Sequence, residues 1–383
     1  MTGPIIFENE DIRVVHRPGT SDFSLVTFAA MGHRPKDDWI WAGEPIGKLG
    51  IEAIGIIGTR PHWYPAASMR AAAPVIRSLL RPRAIGYGFS MGGYGVLKYG
   101  RLLGLTHGFA VSPQVSIDPA DAPWDRRFRH HHDPALHAGM LVAPEEPPPL
   151  TIVAGDTAWE PDALHLRHVQ DWPDIHVMRL DFMKHAAIER FTSTRVIAPV
   201  LDLMLAGDPA ALRAHLRRGR AQSAPVHLWL GRSAAVRGHL RMAERLWTLA
   251  ATLGAPASEV AMVRALSMRE RLAVLFMARR AVEARAFIRT AIEAQDGRAG
   301  GLTEIGRFLH DHGMPGRAAG CFRLAIRAKP SLADAHLGLL RALGDFAPEE
   351  VFIRAQRAAL RALSDSPANA ATAAAMKAYA GPG

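Results

Sequence analysis

Near residue 206 the sequence changes its grammar, and that change limits the folds open to the chain. Before it, short apolar runs alternate with stretches that can form helices. "FSLVTFAAM" (23–31), "IEAIGII" (51–57), "RAIGY" (83–87), "HGFAVS" (107–112), "LTIVAG" (150–155) and "IHVMRL" (175–180) read as strands. Their near-continuous apolar character suits strands buried on both faces of a parallel sheet. Residues 65–81, 90–104 and 162–171 read as helices between them. Strand alternating with helix predicts βαβ units and a doubly wound, mostly parallel α/β domain over about 1–207. Residues 113–149, rich in Pro, His and Asp, break the rhythm and read as an insertion or lid between two strands.

From "AGDP" (206–209) onward the strand signals vanish and the chain reads as amphipathic helices. Leu302, Ile305, Gly306, Leu309, Gly313, Ala318, Phe322, Ala325 and Pro330 fall on the spacing of the 34-residue tetratricopeptide repeat. Leu230, Gly231, Gly238, Ala243, Trp247 and Ala250 repeat that frame. Ala284, Ile288 and Ala291 match its second helix, as do Ala355, Ala359, Ala362 and Pro367. Small residues let paired helices approach and large ones fill the groove between them. An all-α tetratricopeptide-like domain is expected over about 208–383.

A chain of 383 residues is long enough for two such domains. Its net charge of +10 is unevenly placed: residues 1–207 carry −2 and residues 208–383 carry +12, nearly all of the excess from arginine. Arginine scattered over Ala-rich helices reads as a solvated face, or as a surface for an acidic protein partner, rather than a nucleic-acid footprint. The start "MTGPIIFENEDIRVV" has no basic segment leading into a long apolar run, and no window approaches eighteen uncharged apolar residues. A signal peptide and a membrane span are therefore not expected. One cysteine, Cys321, excludes an internal disulfide framework and fits a reducing, cytoplasmic setting.

"GFSMGGYG" (88–95) carries the chemistry. Gly88-Phe89-Ser90-Met91-Gly92 follows a strand and opens a helix, the context that G-x-S-x-G requires for a nucleophile on a sharp strand-to-helix turn. A serine hydroxyl needs a base to take its proton and an acid to orient that base. In the chain order Ser, acid, His, the histidine is His185, directly after "IHVMRLDFMK". Two acids are open: Asp156, one residue past the strand "LTIVAG", is preferred, with Asp162 as the alternative. Asp181 lies too close to the histidine in sequence. The oxyanion donors are expected to be the backbone N–H of Met91 and one from Met31 or Gly32 in the loop "AAMGHRP".

On these residues the segment 23–207 resembles the α/β-hydrolase superfamily. More narrowly, "WAGEPIGKLGIEAIGI", "HWYP", "GFSMGGYGVLKYGRLLG" and "SPQVSIDP" look like a little-characterised bacterial group within it, some of whose members carry tetratricopeptide-like tails. The resemblance implies a serine hydrolase acting on an ester, thioester or related acyl bond of a small or polymer-linked substrate, without a cofactor. It does not imply which substrate. The competing expectation is a catalytically inactive hydrolase fold serving as a scaffold, with the repeats mediating protein–protein interaction.

Other features weigh less. Trp63 and Tyr64 in "HWYP" either line a substrate pocket or anchor the next helix. Trp124, Arg126, Arg127 and Arg129 in the insertion are candidate contacts to an anionic substrate. The run His130-His131-His132-Asp133 offers metal-type ligands, but adjacent histidines cannot all point at one ion, so no metal site is expected. The glycine-rich stretch lacks the Gly-Lys-Ser/Thr of a phosphate loop and the dinucleotide G-x-G-x-x-G frame.

Overall fold

Two short apolar runs that fit no βαβ unit open the fold. In the computed structural model, which describes residues 3–293 and 299–363 and no side chains over 291–293, β1 (Ile5–Glu8) and β2 (Ile12–Arg17) form an antiparallel hairpin. Its turn is closed by Asn9 Oδ1, which accepts the N–H groups of Asp11 and Ile12 at 3.1 and 2.9 Å. The hairpin was not among the expected strands.

The expected alternation follows: β3 (Ser24–Phe28), α1 (Gly43–Lys48), β4 (Glu52–Gly58), α2 (Ala66–Leu79), β5 (Ala84–Phe89), α3 (Met91–Leu103) and β6 (His107–Val111). After residues 113–149 come β7 (Leu150–Gly155), α4 (Glu160–Val169), β8 (Ile175–Arg179), a 3-10 helix (Lys184–Phe191) and α5 (Thr194–Leu205). The eight strands lie in the order β1-β2-β4-β3-β5-β6-β7-β8, with β3 to β8 parallel and β2 antiparallel to β4.

Alternate strand residues face two cores. Val26, Phe28, Ile54 and Ile56 pack with Met69 and Ile76 of α2, Val96 and Leu97 of α3, and Leu166 of α4. Leu25, Ala53, Ile57 and Tyr87 pack on the other face with Ile46 of α1 and Ile197, Val200 and Leu201 of α5. The sheet is therefore doubly wound, and its parallel strands deliver their following loops to one edge.

The chain divides into two compact units, 1–221 and 222 onward. The boundary falls after α6 (Pro209–Gly219) rather than at 207. Asp208 caps α6 by accepting the Ala211 N–H at 2.8 Å, and Leu212 and Leu216 are buried in the second core of the sheet.

The second unit is all helical among its described residues: α7 (Ala224–Arg237), α8 (Leu240–Thr252), α9 (Ala257–Met277), α10 (Ala281–Glu293), α11 (Ala299–Asp311), α12 (Pro315–Ala328), α13 (Ala333–Gly344) and α14 (Glu349–Leu363). The repeat spacing has a visible cause here. A Cβ on Gly306 of α11 would lie 2.8 Å from the Phe322 ring of α12, and one on Gly338 of α13 would lie 2.3 Å from it. Gly231 of α7 bears the same relation to Trp247 of α8, at 2.5 Å. Each large ring fills a space that only a glycine leaves open. Pro367 and the side chain of Ala291 lie outside the described residues. A doubly wound, mostly parallel α/β unit is thus followed by an all-helical unit of small-to-large packed helix pairs.

Candidate active site

The turn between β5 and α3 fixes the site. Ser90 has φ 56° and ψ −119°, a conformation that costs a non-glycine residue about 1–3 kcal/mol. Three local features hold it there. The Ser90 N–H donates to Val111 O of β6 at 2.9 Å, and Ser90 O accepts the Tyr94 N–H at 3.0 Å. Gly88 and Gly92 let the chain fold back on itself, because a Cβ on Gly88 would come within 2.2 Å of Gly92 O. A Cβ on Gly92 would come within 2.2 Å of Phe28 O, so the first turn of α3 lies directly against the carboxyl end of β3.

His185 is the second residue of the 3-10 helix after β8, and its Nε2 lies 2.9 Å from Ser90 Oγ. Its Nδ1 lies 2.9 and 3.0 Å from the two oxygens of Asp162, in the first turn of α4. With Nδ1–H donating to the carboxylate, Nε2 is left as the acceptor for the serine hydroxyl. The rings of Phe89, Phe128 and Trp159 surround the imidazole at 5.1, 6.2 and 6.2 Å. Asp162 is fully buried.

The structure does not place Asp156, the preferred acid, on His185. One Asp156 oxygen accepts the N–H groups of Ala158 and Trp159 at 2.8 and 3.2 Å, and the other accepts the Lys184 N–H at 2.6 Å. This carboxylate ties the loop after β7 to the residue just before His185. Burial raises its pKa even though these N–H groups favour the ionised form. A second tie runs beside it, from Thr157 Oγ1 to Asp181 Oδ1 at 2.5 Å. The pinned segment is strained, with φ of 73° at Phe182 and 50° at Lys184. The carboxylate that meets His185 is instead that of Asp162, in the first turn of α4.

Met91 supplies the first N–H of α3, next to Ser90, and the loop carrying Met31 and Gly32 leaves β3 beside that helix start. Trp63 and Tyr64 are 1% and 0% exposed. The Tyr64 hydroxyl donates to Ala29 O, and the Trp63 indole donates to Gln114 Oε1 at 3.2 Å. Both act as packing anchors, with Trp63 also touching Phe128 and His131 of the insertion. Trp124 packs on the His165 ring rather than on Ser90.

The insertion reaches the site as expected of a lid, but through a different contact from the expected one to substrate. Arg127 does not wait for an anionic substrate: its Nη1 donates to Asp162 Oδ1 at 3.1 Å, and its Nε and Nη2 donate to the two Asp125 oxygens at 2.9 and 2.7 Å. Burial opposes the charge on Asp125, but donors from His165 and Arg127 outweigh it and hold the carboxyl well below its usual range. No spacing rule marks the "DRR" of this segment, so the sequence holds no signal for it.

An apolar cavity of about 210 Å3 lies elsewhere, on the α1/α5 face of the sheet. Its walls include Leu25 and Ile51, near the amino ends of β3 and β4, whereas Ser90 lies past the carboxyl end of β5. Among the described residues no group of three or more His, Cys, Asp or Glu side chains is set to hold a metal ion, and no helix is long and apolar enough to cross a membrane.

No family model matches the chain, and no curated protein does. Among solved structures, it is similar to the capsule O-acetyltransferase of Neisseria meningitidis serogroup A, at 10% identity over 51% of this chain and 93% of that one, with a TM-score of 0.39. It is also similar to an α/β serine hydrolase without lid from Xanthomonas campestris, at 16% identity over 56% and 96%, with a TM-score of 0.30. A tetratricopeptide-repeat protein with an unusual peptide-binding site matches at 15% identity over 48% and 88%, with a TM-score of 0.25. These likenesses are too distant to carry an argument about the chemistry of this chain.

Proposed function

We propose that the first unit is a serine hydrolase cleaving an ester, thioester or related acyl bond through Ser90, His185 and Asp162. The observation that carries this reading is the continuous chain from Ser90 Oγ through His185 to Asp162, with the serine held in a strained turn at a helix start. Such strain persists only where the surroundings enforce it, and it clusters at functional sites.

In this reading Ser90 Oγ attacks the acyl carbonyl and passes its proton to His185 Nε2, while Asp162 holds the imidazole in the tautomer that can accept it. The Met91 N–H, which has no intrahelical partner, stabilises the oxyanion together with an N–H from the Met31–Gly32 loop. The imidazolium then protonates the leaving group. Water, activated by the same imidazole, releases the acyl group from Ser90; transfer to another acceptor uses the same steps with that acceptor in place of water. Asp156 acts on the loop that presents His185, not on the imidazole. The arginine-rich helical unit supplies a surface for an acidic protein partner.

The test is turnover of a p-nitrophenyl ester series of increasing acyl length. The wild-type chain should hydrolyse at least part of the series, and Ser90→Ala should lose about 10⁵–10⁶ in kcat. Hydrolysis that survives Ser90→Ala undiminished would remove the reading.

A further inference from the structure

We propose that Arg127 is a positioning residue of the Ser90 site, through which the inserted segment supplies the counter-charge that keeps Asp162 ionised and aimed at His185. This rests on the serine-hydrolase reading above.

Asp162 is fully buried, and a buried carboxylate without a partner is costly enough to take up a proton or move away. Arg127 is the guanidinium within reach, at 3.1 Å. It has little freedom to leave. Its fork is held by Asp125 in two hydrogen bonds, and its Cζ lies over both the Phe128 and the Trp159 rings, 4.9 Å from each centroid. Burial works against its charge, but the bonds from Asp125 and the charge of Asp162 more than offset it.

Asp125 is fixed in turn. Its Oδ1 also accepts the Arg127 backbone N–H at 3.0 Å, and its Oδ2 faces His165 Nε2 at 3.0 Å. His165 Nδ1 accepts the Val115 N–H at 3.2 Å, which leaves the proton on Nε2 for Asp125. Asp162 and His165 are three residues apart in α4 and so share one helix face. The insertion therefore grips α4 at two adjacent points, one of them the acid itself.

Among the described residues, the charged and titratable groups tied to His185 are Asp162 directly, Arg127, Asp125 and His165 behind it, and Asp156, Asp181 and Lys184 in the segments that flank the imidazole. Without the Arg127 charge Asp162 takes up a proton or moves away, and His185 loses both its orienting partner and the counter-charge of its imidazolium.

The experiment uses the full chain and p-nitrophenyl butyrate, with folding checked by cooperative thermal unfolding. Arg127→Met should lower kcat by about 10–100-fold, the scale of a misplaced catalytic group, with little change in KM. The acid limb of its kcat/KM profile should move to lower pH, because the imidazolium loses its counter-charge. Arg127→Lys, which keeps the charge but not the fork, should return part of kcat and most of the acid limb. In an Asp162→Asn background, Arg127→Met should add little further loss, because its effect runs through that carboxylate. The proposal is overturned if Arg127→Met keeps wild-type kcat and acid limb, or if its loss adds in full to that of Asp162→Asn. Should Arg127→Met not fold, Arg127→Lys and Asp125→Asn decide by the same criteria. A folded wild-type chain with no turnover and no Ser90 reactivity sinks the hydrolase reading and this one together; an active wild type indifferent to Arg127 sinks this one alone.

Discussion

The Asp156 carboxylate accepts the backbone N–H of Lys184 at 2.6 Å, and Lys184 is the residue immediately before His185. Two aspartates thus serve one histidine by different routes, Asp162 through the imidazole and Asp156 through the backbone that carries it. Their asparagine variants should separate. Asp162→Asn should lower kcat by about 10⁴-fold, since an amide there stabilises the wrong tautomer. Asp156→Asn should cost stability first, about 1–3 kcal/mol for N–H groups left poorly satisfied, with a smaller loss of kcat. Steady-state kinetics beside thermal melts distinguishes them, and the reverse ranking in kcat would restore Asp156 as the acid.

Gly92 is the point where α3 meets the end of β3. With Phe28 O only 2.2 Å from an added Cβ, Gly92→Ala must push helix and strand apart. The expected cost is about 1–3 kcal/mol, the range for overpacking a tight contact, together with loss of Ser90 reactivity. Gly32→Ala, where an added Cβ meets nothing within 4 Å, is the matched control and should leave stability near wild type. Equal melting temperatures for the two variants would contradict the close approach.

His62 and His137 are built in as neutral rings. His62 Nδ1 accepts the Tyr64 N–H at 3.2 Å and its Nε2 faces Asp11 O at 2.8 Å; His137 Nδ1 accepts the Asp133 N–H and its Nε2 faces His62 O at 2.9 Å. Burial pulls both pKa values below the usual 6.5. In the folded state each binds its proton less readily than in the unfolded chain. Stability is therefore fully present above about pH 6.5 and falls as the pH drops toward the folded values, by about 1.4 kcal/mol for each pKa unit of displacement. Unfolding free energies measured between pH 8 and pH 5 should show this slope, and His137→Gln should flatten it. An unchanged slope in the variant would contradict the account.

In the helical unit the Phe322 ring occupies the space left by Gly306 and Gly338. Phe322→Ala should destabilise that unit by about 3–5 kcal/mol, read by urea unfolding followed by far-UV circular dichroism. Gly338→Ala should also destabilise it, by forcing the ring aside. A neutral Phe322→Ala would mean the repeat spacing does not reflect packing.

The six parallel strands were legible because burial on both faces leaves continuous apolar runs, and the helical half because its small and large residues recur at fixed distances. The β1–β2 hairpin escaped that reading: "IIFENEDIRVV" places two strands side by side with no helix between, so it lacks the alternation that marked the others. Ser90 and His185 were findable because glycines and chain order constrain them locally. Asp162 was harder, since a carboxylate on a helix can reach a histidine from several positions while the strand-end Asp156 looks equally placed. The Arg127–Asp125–His165 cluster joins residues 40 apart whose spacing obeys no rule, so only the folded chain brings them together.

The most direct test of the central claim is the intact mass of the folded protein after reaction with a fluorophosphonate probe. The account predicts one probe adduct per chain, mapped to Ser90, absent in Ser90→Ala and strongly slowed in both His185→Ala and Asp162→Asn. A wild-type chain that unfolds cooperatively yet takes up no probe, or a Ser90→Ala variant labelled at the wild-type rate, would contradict it.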